Sequence, residues 1–313
     1  MDADEEETSV PDRPRVALAS ARAAWGIDPD EPALLAALAE VGVDAGVLAW
    51  DDPSAEPGAY DLVVLRSTWD YAERRLAFLD WVQATAAVTR LHNPPAIVTA
   101  NTDKRYLDDL AAKGVPTVPT RFFPPGATVV LPTERTCVVK PAVSAGSRNT
   151  LRVAPSAHAR ATALADRLHA QGRVVMVQPY IDSVDARGET AVVFIDGHLS
   201  HGAAKGPILP PGSGVIDGLH AVEELAARQP SAAELAVAES ALTALGADGL
   251  LYARVDLVAD ADGDPLVLEV ELTEPSLFLR YAEGATARFA AAIAARAGDR
   301  SAASGPAPDQ PHH

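Results

Sequence analysis

Between polar ends, the chain alternates short apolar runs with stretches whose apolar residues recur at helical spacing. Runs at Arg15–Ala19, Ala45–Trp50 and Leu62–Leu65 predict strands. Pro32–Val41, stopped by Gly42, and Phe78–Val88 predict helices. Strands that alternate with helices imply βαβ units and an open parallel sheet over residues 14–100. No Gly-x-Gly-x-x-Gly follows the first run, so a dinucleotide fold is not supported. Residues 101–181 read differently: a helix over Thr102–Lys113 closed by Gly114, a Pro-rich stretch, a strand at Cys137–Lys140, and a polar Gly/Ser loop. A strand at Thr150–Val153, a helix from about Ser156 to Gln171 and a strand at Val174–Val177 follow.

Residues 182–297 carry two hairpin signals. Thr190–Ile195 meets Asp196-Gly197 and returns through His198–Ala203, and Leu251–Val258 turns at Ala261-Asp262-Gly263 and returns as Pro265–Leu272. Between them, Ser231 with Glu234 three residues on is a capping box for a helix ending near Gly246. No internal repeat is visible. The ends, residues 1–13 and 298–313, are acidic or Ala/Ser/Pro-rich and read as disordered tails, with His312 and His313 as tail residues rather than ligands.

Composition narrows the class. The 313 residues, 48% apolar and 22% charged, suit a globular protein of two or three lobes. A formal charge of −17 argues against a nucleic-acid binder but leaves a locally positive phosphate site open. No apolar run is long enough to span a bilayer, and the acidic start lacks the features of a secretory leader. The single cysteine, Cys137, sits in a strand-like run and reads as a buried, inert thiol. The expectation is a cytoplasmic protein that acts on a small molecule, with neither nucleic acid nor membrane as partner; homo-oligomerisation stays open.

Chemistry concentrates in four places. Arg254-Val-Asp256 and Glu269-Val-Glu271 lie on paired strands, and residues two apart on a strand share a face, so one wall would hold three carboxylates and an arginine. Oxygen-only donors of this kind suit Mg2+ bridging phosphates, with no Cys/His set for zinc; a hairpin face that is polar only because it meets water is the alternative. Lys140 ends an apolar strand before Ser144, Ala145, Gly146 and Ser147, small residues that let backbone N–H groups approach phosphate oxygens, although taken alone the segment reads better as a plain flexible hairpin. Gln178, Tyr180 and Ile181 leave a strand toward Asp185, as an adenine edge followed by a ribose-binding carboxylate would require. Lys104 opens a helix and Lys205 follows the first hairpin; taken singly, both read as surface lysines. His198 and His201 read as surface polar residues.

The order of these fragments resembles the ATP-grasp superfamily over about residues 101–297, with residues 14–100 similar to the α/β domain that precedes the grasp. The resemblance implies an α/β fold of α+β lobes. It also implies ATP and Mg2+ as cofactors, and a ligase that activates a carboxylate as an acyl phosphate for attack by nitrogen. By the same resemblance Lys104 and Lys140 contact phosphates under the Ser144–Thr150 loop. Gln178, Tyr180 and Ile181 line the adenine site and Asp185 takes the ribose. Lys205 and Arg254 steady the transferring phosphoryl group, and Asp256, Glu269 and Glu271 hold the metal; many members carry Asn where this chain has Glu271. Leu65-Arg-Ser-Thr-Trp-Asp-Tyr71, Asn101-Thr-Asp-Lys-Arg-Tyr-Leu107, Lys140-Pro-Ala-Val-Ser-Ala-Gly-Ser147 and Glu274-Pro-Ser-Leu-Phe278 are similar to the actinobacterial group that closes O-ureido-D-serine into D-cycloserine. Arg66, just past the third strand, is then expected to meet a substrate carboxylate or ureido group, beside Ser67, Thr68, Asp70 and Ser276. An intermolecular amide ligase, a non-catalytic nucleotide-binding module and a periplasmic-type binding protein are the alternatives.

Overall fold

The computed structural model describes residues 13–299, apart from residues 208, 211, 213, 214 and 216–223; apart from Arg13, Gly298 and Asp299, the expected tails lie outside the described residues. Strands β1 (Arg15–Ser20), β2 (Asp44–Ala49), β3 (Leu62–Ser67) and β4 (Arg90–His92) form a parallel sheet in the order β2-β1-β3-β4. Helices α1 (Glu31–Glu40), α2 (Arg75–Val88) and α3 (Pro95–Asn101) join and follow them. β1 and β3 are apolar without alternation because both faces of the sheet are covered. Val16, Leu18, Leu62 and Val64 pack with Leu34 and Leu38 of α1, while Ala17, Ala19, Val63 and Leu65 pack with Phe78 and Val82 of α2.

The helix expected over Thr102–Lys113 is instead α4 (Tyr106–Ala112), preceded by the separate α3. The junction is pinned by tertiary bonds: Asn101 accepts from Leu272 N–H at 2.8 Å and donates to Val270 O at 2.7 Å. The Lys104 N–H reaches Ala142 O at 2.9 Å. A second, antiparallel sheet has the order β5-β8-β6-β7, from β5 (Arg121–Phe123), β6 (Cys137–Pro141), β7 (Leu151–Val153) and β8 (Val175–Pro179), with α5 (His158–Ala170) on one face. Cys137, Val139, Leu151, Val153, Val175 and Val177 pack under α5. Alternation along the strands then turns Val138, Lys140 and Gln178 to the opposite face.

After α6 (Val184–Arg187), the third sheet is antiparallel in the order β11-β10-β9-β12-β13. It comprises β9 (Glu189–Ile195), β10 (His198–Lys205), β11 (Leu225–Arg228), β12 (Tyr252–Ala259) and β13 (Pro265–Glu271). The β9–β10 turn places Asp196 and Gly197 at φ of 52° and 76°, the left-handed pair that a tight hairpin requires. α7 (Ala232–Ala244) starts with the capping box of Ser231 and Glu234. Its Ala238, Ala241 and Leu242 pack with Ala253, Val255 and Leu257 of β12, which leaves Arg254 and Asp256 to the other side. α8 (Ala285–Gly298), one residue longer than the expected boundary allowed, returns to the first sheet: its Phe289 and Ile293 complete the cluster around Val16 and Leu18. Arg90 of β4 donates to Arg296 O and Asp299 O at 2.6 Å and to Ala297 O at 2.7 Å, holding the C-terminal carbonyls of α8.

Candidate active site

The free faces of the second and third sheets enclose a cleft that is partly open to solvent, the setting in which a small-molecule ligand binds. One end is apolar: Val138, Ile181, Val184, Val258 and Leu268 line it with Tyr180. The other end is charged.

The pairing of β12 with β13 sets the charged wall. Arg254 sits opposite Glu271 and Asp256 opposite Glu269, but the partner of Leu257 is Val267. Leu268 is therefore an extra residue, a β-bulge. Without it, strict alternation would send either Leu268 or Glu269 into the core; with it, both line the cleft. One strand thus supplies an apolar floor and a carboxylate side by side.

Each carboxylate is held by cations. Glu269 takes Lys104 Nζ at 2.9 Å and Lys140 Nζ at 3.6 Å. Asp256 takes Lys205 Nζ at 2.7 Å and Arg254 Nε at 2.9 Å, and Glu271 pairs with Arg254 Nη2. Burial alone would raise the Asp256 carboxyl, yet Arg254 and Lys205 together hold it down at about 2. Burial likewise opposes ionisation of Glu269, and Lys104 and Lys140 outweigh it. For Glu271 the balance reverses. Burial, joined by Glu269 and Asp256, pushes it up to about 7 against the pull of Arg254. Lys140 is drawn down by burial, with Glu269 opposing.

Among the described residues no three His, Cys, Asp or Glu side chains converge on one point as a closed cation cage. Mg2+ in phosphate-transferring sites takes one or two carboxylates and completes its shell with phosphate oxygens and water. Asp256 and Glu269, paired across the strands, and Glu271 one step further are a matching oxygen-only donor set. Over them lies the small-residue loop. Ser144, Ala145, Gly146 and Ser147 line the cleft, Gly146 and Ser147 have φ near +60°, and Lys104 Nζ donates to Ser144 O at 2.7 Å. Successive N–H groups of a turned backbone are a known means of binding an anion.

Several sequence expectations need correction. Asp185 does not line the cleft; Arg152 takes it bidentately at 2.7 and 2.8 Å and Tyr180 donates to it at 2.7 Å. Gln178, Tyr180 and Ile181 do line it, although the Gln178 amide is already bonded to Thr120 Oγ1. Arg66 is only 2% exposed and turns inward to Pro275 O at 3.0 Å and Asp28 at 3.5 Å. Ser67 bonds Ser20 and Thr68 is buried. Asp70 accepts from Trp50 and pairs with Arg74. None of these four reaches the cleft, whereas their neighbours Trp69 and Tyr71 do, with Ser276. His201 is not at the surface either: it is buried, with Nε2 on Leu277 O at 2.8 Å. Glu189, missed in the sequence, lines the cleft and pairs with Lys205 at 3.1 Å; the signal was the hairpin register, which sets it opposite Lys205. Glu274, quoted in a motif but given no role, also lines the cleft.

Glu274 and Ser276 stand on a non-regular segment whose successive carbonyls are each held by a side chain. Thr273 O accepts from the Tyr252 hydroxyl at 2.8 Å, Glu274 O from Trp69 Nε1 at 3.2 Å and Pro275 O from Arg66. Ser276 O accepts from Arg254 Nη1 at 2.7 Å and Leu277 O faces His201. Asp30 then takes the Leu279 N–H at 3.0 Å.

A parallel sheet followed by two antiparallel sheets that close on a cleft of lysines, arginine and carboxylates is the arrangement of an ATP-grasp carbon–nitrogen ligase. Residues 16–93 match the family model of the D-cycloserine synthetase DcsG N-terminal domain, and residues 128–283 that of the prokaryotic glutathione synthetase ATP-grasp domain. The cycloserine biosynthesis protein DcsG of Streptomyces lavendulae is 42% identical over 287 residues, 86% of this chain and 94% of that protein. The crystal structure of D-cycloserine synthetase DcsG superposes with a TM-score of 0.84 at 40% identity, covering 90% of this chain and 99% of that one. The D-alanine–D-alanine ligase of Bacillus anthracis shares the fold at a TM-score of 0.65 and 15% identity, over 91% of this chain and 97% of its own. The chain belongs to the D-cycloserine synthetase family of ATP-dependent ligases. Among the described residues no helix is long and apolar enough to cross a membrane.

Proposed function

We propose that this protein uses ATP and Mg2+ to close O-ureido-D-serine into D-cycloserine. The observation that carries the reading is the ion-paired wall of Asp256, Glu269 and Glu271 with Lys104, Lys140, Lys205 and Arg254 inside one cleft. Identity to the Streptomyces lavendulae protein over most of both chains supports the choice of substrate. Residues 14–100 would form the preceding domain, 101–181 the small lobe and 182–297 the large one.

Phosphoryl transfer asks the protein mainly for position and charge neutralisation. Asp256, Glu269 and Glu271 would supply the oxygen donors for Mg2+, whose charge would offset that of the phosphates. Lys104 and Lys140 would orient the phosphates under the Ser144–Thr150 loop, the adenine lying against Tyr180 and Ile181. Arg254 and Lys205, each already fixed by Asp256, would hold the equatorial oxygens as the γ-phosphoryl group passes to the substrate carboxylate. The ureido nitrogen bonded to oxygen then attacks the acyl carbon; the C–N bond forms and phosphate departs. Hydrolytic loss of the carbamoyl group as carbon dioxide and ammonia leaves the free ring. The two antiparallel sheets on either side would limit the access of water to the acyl phosphate.

The test is to supply ATP, Mg2+ and O-ureido-D-serine, follow ADP, and identify the product by mass spectrometry. D-cycloserine formed in step with ADP supports the reading. ADP formed only with pairs of amino acids supports an intermolecular ligase instead, and no ADP with either overturns both.

A further inference from the structure

Glu274 is a carboxylate that the ion-pair network leaves out. It is buried, 8% exposed, and lines the cleft. Among the described residues no hydrogen bond or ion pair reaches its side chain. Its charged surroundings are Glu271, Lys104, Glu269 and Arg254. Both cations are already engaged, Lys104 by Glu269 and Ser144, Arg254 by Asp256, Glu271 and Ser276. Burial next to Glu271 and Glu269 pushes its carboxyl well above the ordinary carboxylate range, so an ionised Glu274 has no counter-charge of its own in the cleft. The complement of such a group is a cation that arrives with a ligand.

Its mounting is as telling as its isolation. Trp69 holds the Glu274 carbonyl, Arg66 that of Pro275 and Arg254 that of Ser276, so the backbone is fixed by groups that leave the Glu274 side chain unused. Trp69 and Tyr71 line the cleft with it, a wall suited to a compact, partly apolar ligand. An amino-acid substrate whose carboxylate lies toward Arg254 carries its ammonium one carbon away.

We infer that Glu274 is the specificity-determining residue that receives the α-ammonium of the substrate, orienting the carboxylate toward the phosphates and keeping that amine out of the ring-forming attack. The inference rests on the proposed amino-acid substrate.

Steady-state kinetics on the full chain tests it with O-ureido-D-serine and with the des-amino analogue 3-(ureidooxy)propanoate. The unaltered protein should show a KM for the analogue at least roughly tenfold higher than for the amino acid, as expected for one lost charged hydrogen bond. Glu274→Gln should raise the KM for O-ureido-D-serine roughly 10- to 100-fold while leaving that for the analogue and for ATP nearly unchanged. Glu274→Asp should recover part of the loss. Equal handling of the two compounds by the unaltered protein, or an equal penalty on both in the Gln variant, overturns the assignment alone. Absence of turnover of either compound by the unaltered protein overturns it together with the proposed function.

Discussion

Glu269 pairs with both Lys104 and Lys140, so its charge keeps two buried ammonium groups together. Glu269→Gln keeps the shape and one acceptor for Lys104 but removes the charge. Its kcat/KM should fall by at least about 100-fold, the scale of a lost preorganised charge contact, while circular dichroism stays native. Glu271 differs: it is raised to about 7, so before a cation binds it is largely protonated below that pH. Only the ionised form ligates. Mg2+ affinity should therefore climb as the pH rises through about 7, by up to about tenfold per unit below it, and Glu271→Gln should flatten that dependence. Titrating activity with Mg2+ between pH 6 and 8 measures both. The residues whose roles were misread, Arg66 and Asp70, are polar side chains beside a cleft they do not enter. Composition marks them as candidates, but only the turn after β3 decides that Trp69 and Tyr71 line the cleft. Asp185 was likewise claimed by Arg152, a partner 33 positions away that no local pattern reveals.

The elements most legible in the sequence were those whose signal is local: the two hairpins, marked by paired apolar runs around Asp-Gly turns, and α7, marked by its capping box. β4, β5 and β11, three or four residues long, carry too few positions for a period, and α3 ends where Asn101 leaves the helix to bond β13. The bulge at Leu268 was invisible for a related reason: an added residue is defined only by its partner strand. Gly188 shows what such junctions demand. It joins α6 to β9 at φ 66° and ψ −158°, a region open to glycine alone, and a Cβ there would stand 2.2 Å from Lys205 O. Gly188→Ala should lose about 1–3 kcal/mol from backbone strain, and more if the strand shifts. Because the clash lies on the residue that pairs with Asp256, kcat should drop with the denaturation midpoint. Urea melts and turnover on the same preparation check it.

Across the whole molecule, the two ends of the described chain meet. Arg90 on the first sheet caps α8, which packs back over that sheet beside α1. A guanidinium at a helix C-terminus satisfies carbonyls and complements the dipole, so Arg90→Ala should cost about 1–2 kcal/mol and lower the melting temperature. Its KM for ATP should stay unchanged, since α8 does not line the cleft. The parallel first sheet and the two hairpins of the third followed from the order of runs and helices; the return of α8 did not, because nothing in a helix's own sequence names the sheet it will cover.

The segment from Thr273 to Leu277 carries the remaining consequence. Its carbonyls are gripped from β12, from β3 and the turn after it, and from β10, so its shape is a vote taken among pieces of chain up to two hundred positions apart. A partly folded molecule, lacking any one of them, would leave at least one of those carbonyls without its donor, so the course of this stretch of cleft wall is a property of the finished fold and of no single element.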